Sequence, residues 1–201
     1  MKNKELSWKN ITLRQSIELF NLKKEEFEDD LDYYLEQLSI LEDIDIATLE
    51  NLTPNEIVDK IKQYDFIKVL PKEKHINTIK INKRKYGFME FNKLSLAQMI
   101  DIEEYVNEGI TNNIHKIISV ILLPIKKQNI FTKKYILEEY VPSEERENDI
   151  LDLDMEFVYS NLLFFYHIVN EFTNNLKDSL VEKTLEKTQN QIEILKEQLN
   201  K

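Results

Sequence analysis

His75-Ile76-Asn77-Thr78-Ile79-Lys80-Ile81 alternates polar with apolar residues, and it interrupts a chain that otherwise repeats at helical spacing. Period-two alternation is the pattern of a strand with one buried face. Asn82-Lys83-Arg84-Lys85 is polar and suits a turn, and Tyr86-Gly87-Phe88-Met89-Glu90-Phe91 returns as a second strand. A glycine inside a strand marks a bulge, which places one at Gly87. A lone two-stranded hairpin is marginal in water, so this one has to lean on helices or on another chain. The stretch decides the fold class: mainly α-helical (α+β), a helical domain with a small central β-hairpin and a long C-terminal helix.

Outward from the hairpin, helix-start signals recur. Thr12 with Gln15, Thr53 with Glu56 and Ser95 with Gln98 have capping-box spacing, in which the hydroxyl accepts the amide three residues on and that residue's side chain reaches back. Pro54 stands at a first helical position, where its missing amide is not needed. Helices are expected over 12–21, 24–42, 54–64, 95–108 and 112–123, with Pro124 and Pro142 punctuating the chain beyond. A final long helix is expected from near Asp152 or Asp154, acidic residues that suit a helix N-terminus, to the end of the chain. The parts are then an N-terminal helical part (1–70), the hairpin insertion (71–93), a C-terminal helical part (94–180) and an amphipathic helical tail (181–201). In the tail, Val181, Leu185, Thr188, Ile192, Leu195 and Leu199 follow a 4-3-4-3-4 spacing, the stripe of an amphipathic helix or a short coiled-coil seam.

Composition removes several kinds of chemistry. Among 201 residues there is no Cys, which excludes disulfides, thiol nucleophiles, Fe–S clusters and Cys-based zinc sites. The two glycines, Gly87 and Gly109, are too far apart for a phosphate-binding loop, a dinucleotide fingerprint or a nucleophile elbow. Lys and Arg number 27 against 37 Asp and Glu, a net charge of −10, which disfavours general coating of nucleic acid while allowing a local basic patch. A hydrophobic fraction of 42% is enough to build a core in one large domain or two small ones. No run approaches the roughly 18–20 apolar residues of a membrane helix. Ile114 to Ile125 and Phe157 to Val169 are shorter and carry His115, Lys116, Asn161 and His167. The first residues lack the apolar centre of a signal peptide, so synthesis inside the cell is expected.

His75, His115 and His167 are the only imidazoles, and no two have the spacing of a metal-binding helix. Structural roles with satisfied hydrogen bonds are expected for them. Carboxylates gather at Glu25, Glu26, Glu28, Asp29, Asp30 and Asp32, and again at Asp149, Asp152 and Asp154. The first group lacks the glycine of a calcium loop. It reads as the solvated face of a helix whose apolar stripe is Phe27, Leu31, Tyr34, Leu35 and Leu38. Glu103 and Glu104 are neighbours on a helix, about 100° apart, and make no acid–base pair. No catalytic, cofactor-binding or metal-ligating residue is assigned, no cofactor is expected, and the chain is expected not to be an enzyme.

Charge points to contact surfaces instead. Lys68, Lys72, Lys74, Lys80, Lys83, Arg84, Lys85 and Lys93 face only Glu73 and Glu90 within their segment, which makes an acidic protein locally positive. Lys83, Arg84, Lys85 and Tyr86 are therefore candidate contacts to phosphate or to an acidic partner, and Leu185, Ile192, Leu195 and Leu199 to a partner helix. A DNA-contacting accessory factor using the hairpin is one alternative, and its binding would weaken steeply with salt. A hydrolase assembled from dispersed carboxylates with His115 or His167 is the enzymatic alternative.

Several stretches also carry a resemblance. Trp8-Lys9-Asn10-Ile11-Thr12-Leu13-Arg14-Gln15 is followed by Glu28-Asp29-Asp30-Leu31-Asp32, then Leu52-Thr53-Pro54-Asn55-Glu56-Ile57. After the hairpin come Leu94-Ser95-Leu96-Ala97-Gln98-Met99-Ile100-Asp101-Ile102-Glu103, Asn113-Ile114-His115-Lys116-Ile117-Ile118-Ser119-Val120-Ile121-Leu122-Leu123-Pro124 and Leu162-Leu163-Phe164-Phe165-Tyr166. This order resembles small structural or tail-assembly proteins of tailed bacteriophages of Bacteroides-type hosts, including crAss-like phages. The likeness covers residues 8–180 and leaves the C-terminal extension outside. Its shared positions are caps, apolar faces and a helix-ending proline, so it carries no catalytic or metal residue. It implies a non-enzymatic virion or assembly protein of the head–tail or tail region, or packaged cargo. A tail-assembly chaperone absent from the mature particle is the variant of that reading. The implied partners are other phage structural proteins, with a homo-oligomer or ring among the arrangements; nucleic acid is less favoured and no membrane is expected. The implied location is the virion, after synthesis in the host cytoplasm.

Overall fold

The structure, a computed structural model, describes residues 6–69, 71 and 76–161. His75, His167, the continuation of the last helix and the tail positions Leu185, Ile192, Leu195 and Leu199 lie outside the described residues. Helices α1 (Leu13–Asn21), α2 (Asp30–Glu42), α3 (Ile46–Leu49) and α4 (Pro54–Lys62) precede strands β1 (Thr78–Ile81) and β2 (Arg84–Phe88). Helices α5 (Leu96–Asn107) and α6 (Ile110–Ile121) then lead into β3 (Leu122–Gln128), β4 (Tyr135–Leu137) and α7 (Glu144–Leu151). The protein is mainly α-helical with a small four-stranded antiparallel sheet.

All three capping boxes form, and two of them do more than cap. In the first, Gln15 Oε1 accepts the Thr12 amide at 2.9 Å while its Nε2 donates to the carbonyls of Ile40 and Leu41, at 2.9 and 3.1 Å. Those carbonyls belong to the last turn of α2, where no further helical amide exists to meet them. One glutamine thus starts α1 and ties down the end of α2. The Thr53–Glu56 box opens α4 with Pro54 in its first turn. Leu35, Leu38, Leu49 and Ile57 close a buried cluster between these helices, each such burial worth about 1.5–3 kcal/mol.

The expected helix over 24–42 is shorter than its sequence suggests. Lys24–Glu26 forms only a 3-10 turn, and α2 begins at Asp30 because Asp29 caps it, accepting from the amides of Leu31 and Asp32 at 2.7 and 2.9 Å. An aspartate at that position ends the extended link and starts the helix. Phe27, expected on the helical stripe, precedes α2 and sets its ring edge-on to Tyr33, 5.6 Å between centroids.

The hairpin is half of a larger sheet. Asn82 and Lys83 form its two-residue turn, both at positive φ (45° and 69°), a backbone whose twist matches that of the flanking strands. The support a hairpin needs comes from β3, and the strand order is β1-β2-β3-β4. Residues 122–128, expected as the end of a helix and a punctuating proline, form that strand. Leu122 and Leu123 are completely buried, so the run shows no alternation and reads as a buried helix. Pro124, which has no amide to donate, sits where β3 passes from pairing β2 (122–124) to pairing β4 (125–128). The register irregularity falls there, between Ile125 and Lys127, and not at Gly87. Gly87 pairs regularly with Thr78 and Leu123; a Cβ on it would lie 2.7 Å from the Tyr135 ring, whose hydroxyl donates to the Phe88 carbonyl at 2.9 Å. Gly87→Ala must push that ring aside and is expected to cost about 1–3 kcal/mol; urea denaturation checks it, and a change below about half a kcal/mol would show the ring moves freely.

Helix α6 runs into β3 with no glycine to cap it, and its last carbonyls are met from four directions. The Leu122 amide donates to Ile118, Arg146 Nε to Ser119 at 3.0 Å, Gln98 Nε2 to Val120 at 2.8 Å, and the Met89 amide to Ile121 at 2.8 Å. Gln98 is at once the third-position partner of Ser95 and fully buried. Arg146 comes from α7, a helix absent from the expected set, capped by Ser143 with Glu144, Glu145 and Glu147 in its first turn. The first two turns of the last expected helix are present over 155–161, with Asp154 accepting the Phe157 amide at 2.9 Å. Residues 153–155 are joined to the N-terminal segment, Leu13 donating to Leu153 and Met155 to Ile11.

Candidate interaction surfaces

The basic hairpin tip is less available than its sequence implies. Arg84 pairs with Glu138 at 2.6 Å, Lys85 donates to Gln128 at 2.7 Å, and the neighbouring Asn82 donates to Asp149 at 2.7 Å. The Glu138 carboxylate holds the Arg84 guanidinium above its ordinary pKa, with burial opposing it. Tyr86 is a correction: it is 5% exposed, packed in the sheet opposite Ile79 and Pro124, and offers no face to a partner. Lys83 and Lys85 stay exposed with no ion pair among the described residues, and Lys83 has no side-chain hydrogen bond there either. Elsewhere in the basic segment, Lys68 and Lys93 pair with Asp65 and Glu90.

A second hairpin, which the sequence did not announce, carries the more open surface. Between β3 and β4 the chain reads Lys126-Lys127-Gln128-Asn129-Ile130-Phe131-Thr132-Lys133-Lys134. Ile130 and Phe131 are 78% and 95% exposed, and all four lysines are exposed with no ion pair among the described residues. The turn is built, not loose. Asn129 Oδ1 accepts the amides of Phe131 and Thr132 at 2.9 and 3.0 Å, and the Asn129 amide donates to the Lys134 carbonyl at 2.8 Å. This side-chain turn holds two large apolar groups in water, flanked in sequence by two lysines on each side.

A concave surface lies in the N-terminal part. Helices α1 and α2 and the segment after α4 enclose a groove of about 520 Å³ whose walls include Trp8, Phe20, Tyr33, Tyr34, Ile61 and Tyr64. Trp8 is fixed there by donating Nε1–H to the Val69 carbonyl at 2.9 Å and by meeting Phe66 edge-on. Phe20, on the groove wall, is 71% exposed. The link from α1 to α2 passes beside it, with Phe27 against Tyr33 and the Lys24 ammonium 6.0 Å from the Tyr33 ring centre. Residues 23–32 hold two lysines and six carboxylates, a net charge of −4.

Among the described residues no three His, Asp or Glu side chains converge as a metal would require. His115 departs from expectation: it is half-buried and its Nδ1 has no partner among the described residues. Burial first, then the charges of Lys116 and Arg14, hold its pKa below the ordinary 6.5. The unfolded chain therefore takes the proton first as pH falls, and stability from this residue is lost below about pH 6.5. His115→Gln is expected to flatten the fall in stability between about pH 7 and 5, measured by urea denaturation; an unchanged slope would remove the assignment. Among the described residues no helix is long and apolar enough to cross a membrane. No protein-family model matches the chain, and neither a curated protein nor a solved structure matches it.

Proposed function

We propose that this chain is a non-enzymatic structural or assembly protein of a tailed bacteriophage, working through contacts with other polypeptides. The observation that carries the reading is the Ile130–Phe131 tip, two large apolar side chains held in water by a fixed turn. Leu96 and Phe20, 74% and 71% exposed, add to it. Exposed apolar groups of this kind mark places where a partner removes them from water. The phage context rests on the resemblance over residues 8–180 and on nothing else. The proposed location is the virion, and the proposed partners are its structural proteins. With Arg84 and Lys85 engaged at the surface by Glu138 and Gln128, no observation favours a DNA-contacting role for that hairpin.

Mass spectrometry of purified particles of the phage that carries the gene tests this. Peptides of the chain are expected in the particles at a stable ratio to other structural proteins. Their presence in the lysate and absence from particles would replace the virion component by an assembly chaperone; a phage that assembles normally without the gene would overturn both.

A further inference from the structure

We infer that the Ile130–Phe131 tip of one copy seats in the aromatic groove of a second copy, so that identical chains join head to tail. The inference rests on the proposed reading that the chain acts through protein contacts. Shape supports it: the tip is the most exposed apolar protrusion among the described residues, and the groove is concave and aromatic. Its volume of about 520 Å³ lies within the roughly 300–1,000 Å³ of sites that enclose a small ligand, enough for an isoleucine and a phenylalanine side chain. Charge supports it too. Residues 126–134 carry four lysines and no carboxylate, while the link beside the groove, residues 23–32, has a net charge of −4. Lys23 and Lys24 pair with Glu26 and Asp30, which leaves Glu25, Glu28, Asp32 and the capping Asp29 with no ion pair among the described residues. An apolar tip flanked by four lysines meets an apolar seat with an acidic segment beside its Tyr33 wall, and such complementarity fixes register and speeds encounter.

Tip and groove are different patches of the same surface, so the contact is heterologous. Each bound copy still presents a free tip at one end and a free groove at the other, and the product is a ring if the rotation closes and a filament if it does not. The fixed turn at Asn129 lowers the ordering cost of binding, because the tip is already in place.

Sedimentation of the full chain at rising concentration tests this with two variants, Phe131→Asp and Phe20→Asp. Both positions are exposed, and circular dichroism confirms that each variant is folded. The wild-type chain is expected to grow beyond a dimer, and each variant alone to associate at least about tenfold more weakly. A mixture of the two variants retains one intact tip and one intact groove, so it is expected to form one-to-one dimers and nothing larger. A wild-type chain that stays monomeric, a mixture that stays monomeric, or variants that associate as the wild type does would each overturn the inference. Flotation of a monomeric wild type with phosphatidylserine vesicles, abolished by Phe131→Asp, would assign the tip to a bilayer instead. A monomeric chain found in particles sinks this inference and leaves the proposed function standing; a self-associating chain absent from particles does the reverse for the virion assignment.

Discussion

Arg146→Ala is expected to lower the stability of the folded chain by about 3–6 kcal/mol, because hydrogen bonds from a charged donor contribute about 1.5–3 kcal/mol each and two are lost. Arg146 is 8% exposed and has no carboxylate partner among the described residues; Nε donates to the Ser119 carbonyl and Nη2 to the Val141 carbonyl at 2.8 Å, with the guanidinium 5.7 Å from the Tyr140 ring centre. Burial pulls its pKa below the ordinary arginine value. Truncation orphans the Ser119 carbonyl at the uncapped end of α6 and opens a void beside it. Arg146→Lys is expected to recover only part of the loss, since a single ammonium cannot span both carbonyls as a planar fork does. Denaturant midpoints check both, and a loss below about 1 kcal/mol for the alanine variant would mean that water or a neighbouring donor meets those carbonyls.

Gln98→Glu is the second large effect. The substitution keeps shape and the oxygen that accepts the Ser95 amide, but it replaces the Nε2 donor that serves the Val120 carbonyl at 2.8 Å with a second acceptor, in a position 2% exposed. A buried carboxylate facing a carbonyl is expected to cost about 3 kcal/mol or more at neutral pH, lowering the melting temperature by about 6–12 °C. The introduced carboxyl would titrate above its unfolded value, so its penalty is fully felt at neutral pH and relieved as pH falls through that raised pKa. Thermal melts of variant and wild type at about pH 7 and pH 4.5 check this by difference. An equal penalty at both pH values would show that the lost donor matters and the charge does not.

The legible parts of this sequence are those where a residue's local role is also its role in the fold. Thr12, Thr53 and Ser95 start helices because their hydroxyls act on amides three residues away, and sequence spacing contains that geometry. Asp154 is legible for the same reason. Strand β3 is not: its first residues, Leu122 to Pro124, are buried whichever face they point to, and a doubly buried run loses the alternation by which strands are read. Strand β4 is three residues long and offers no period. The site suffers from the same distance. Positive charge at Arg84 and Lys85 is visible in sequence, but the groups that absorb it, Glu138 and Gln128, lie 54 and 43 residues further on. The Ile130–Phe131 tip is not legible in sequence, because two apolar residues between lysine pairs look like any loop until β3 and β4 are known to form a hairpin. Gln15 and Gln98 were seen as caps; that each also holds the end of another helix is a fact of packing alone.

Lysine cross-linking of assembling particles, read by mass spectrometry, tests most directly whether this molecule acts by gripping polypeptides. Lys126, Lys127, Lys133 and Lys134 surround the exposed tip, so they are expected to join it to a second chain, identical or not. Cross-links from these four lysines confined to their own chain, at every stage of assembly, would contradict the account.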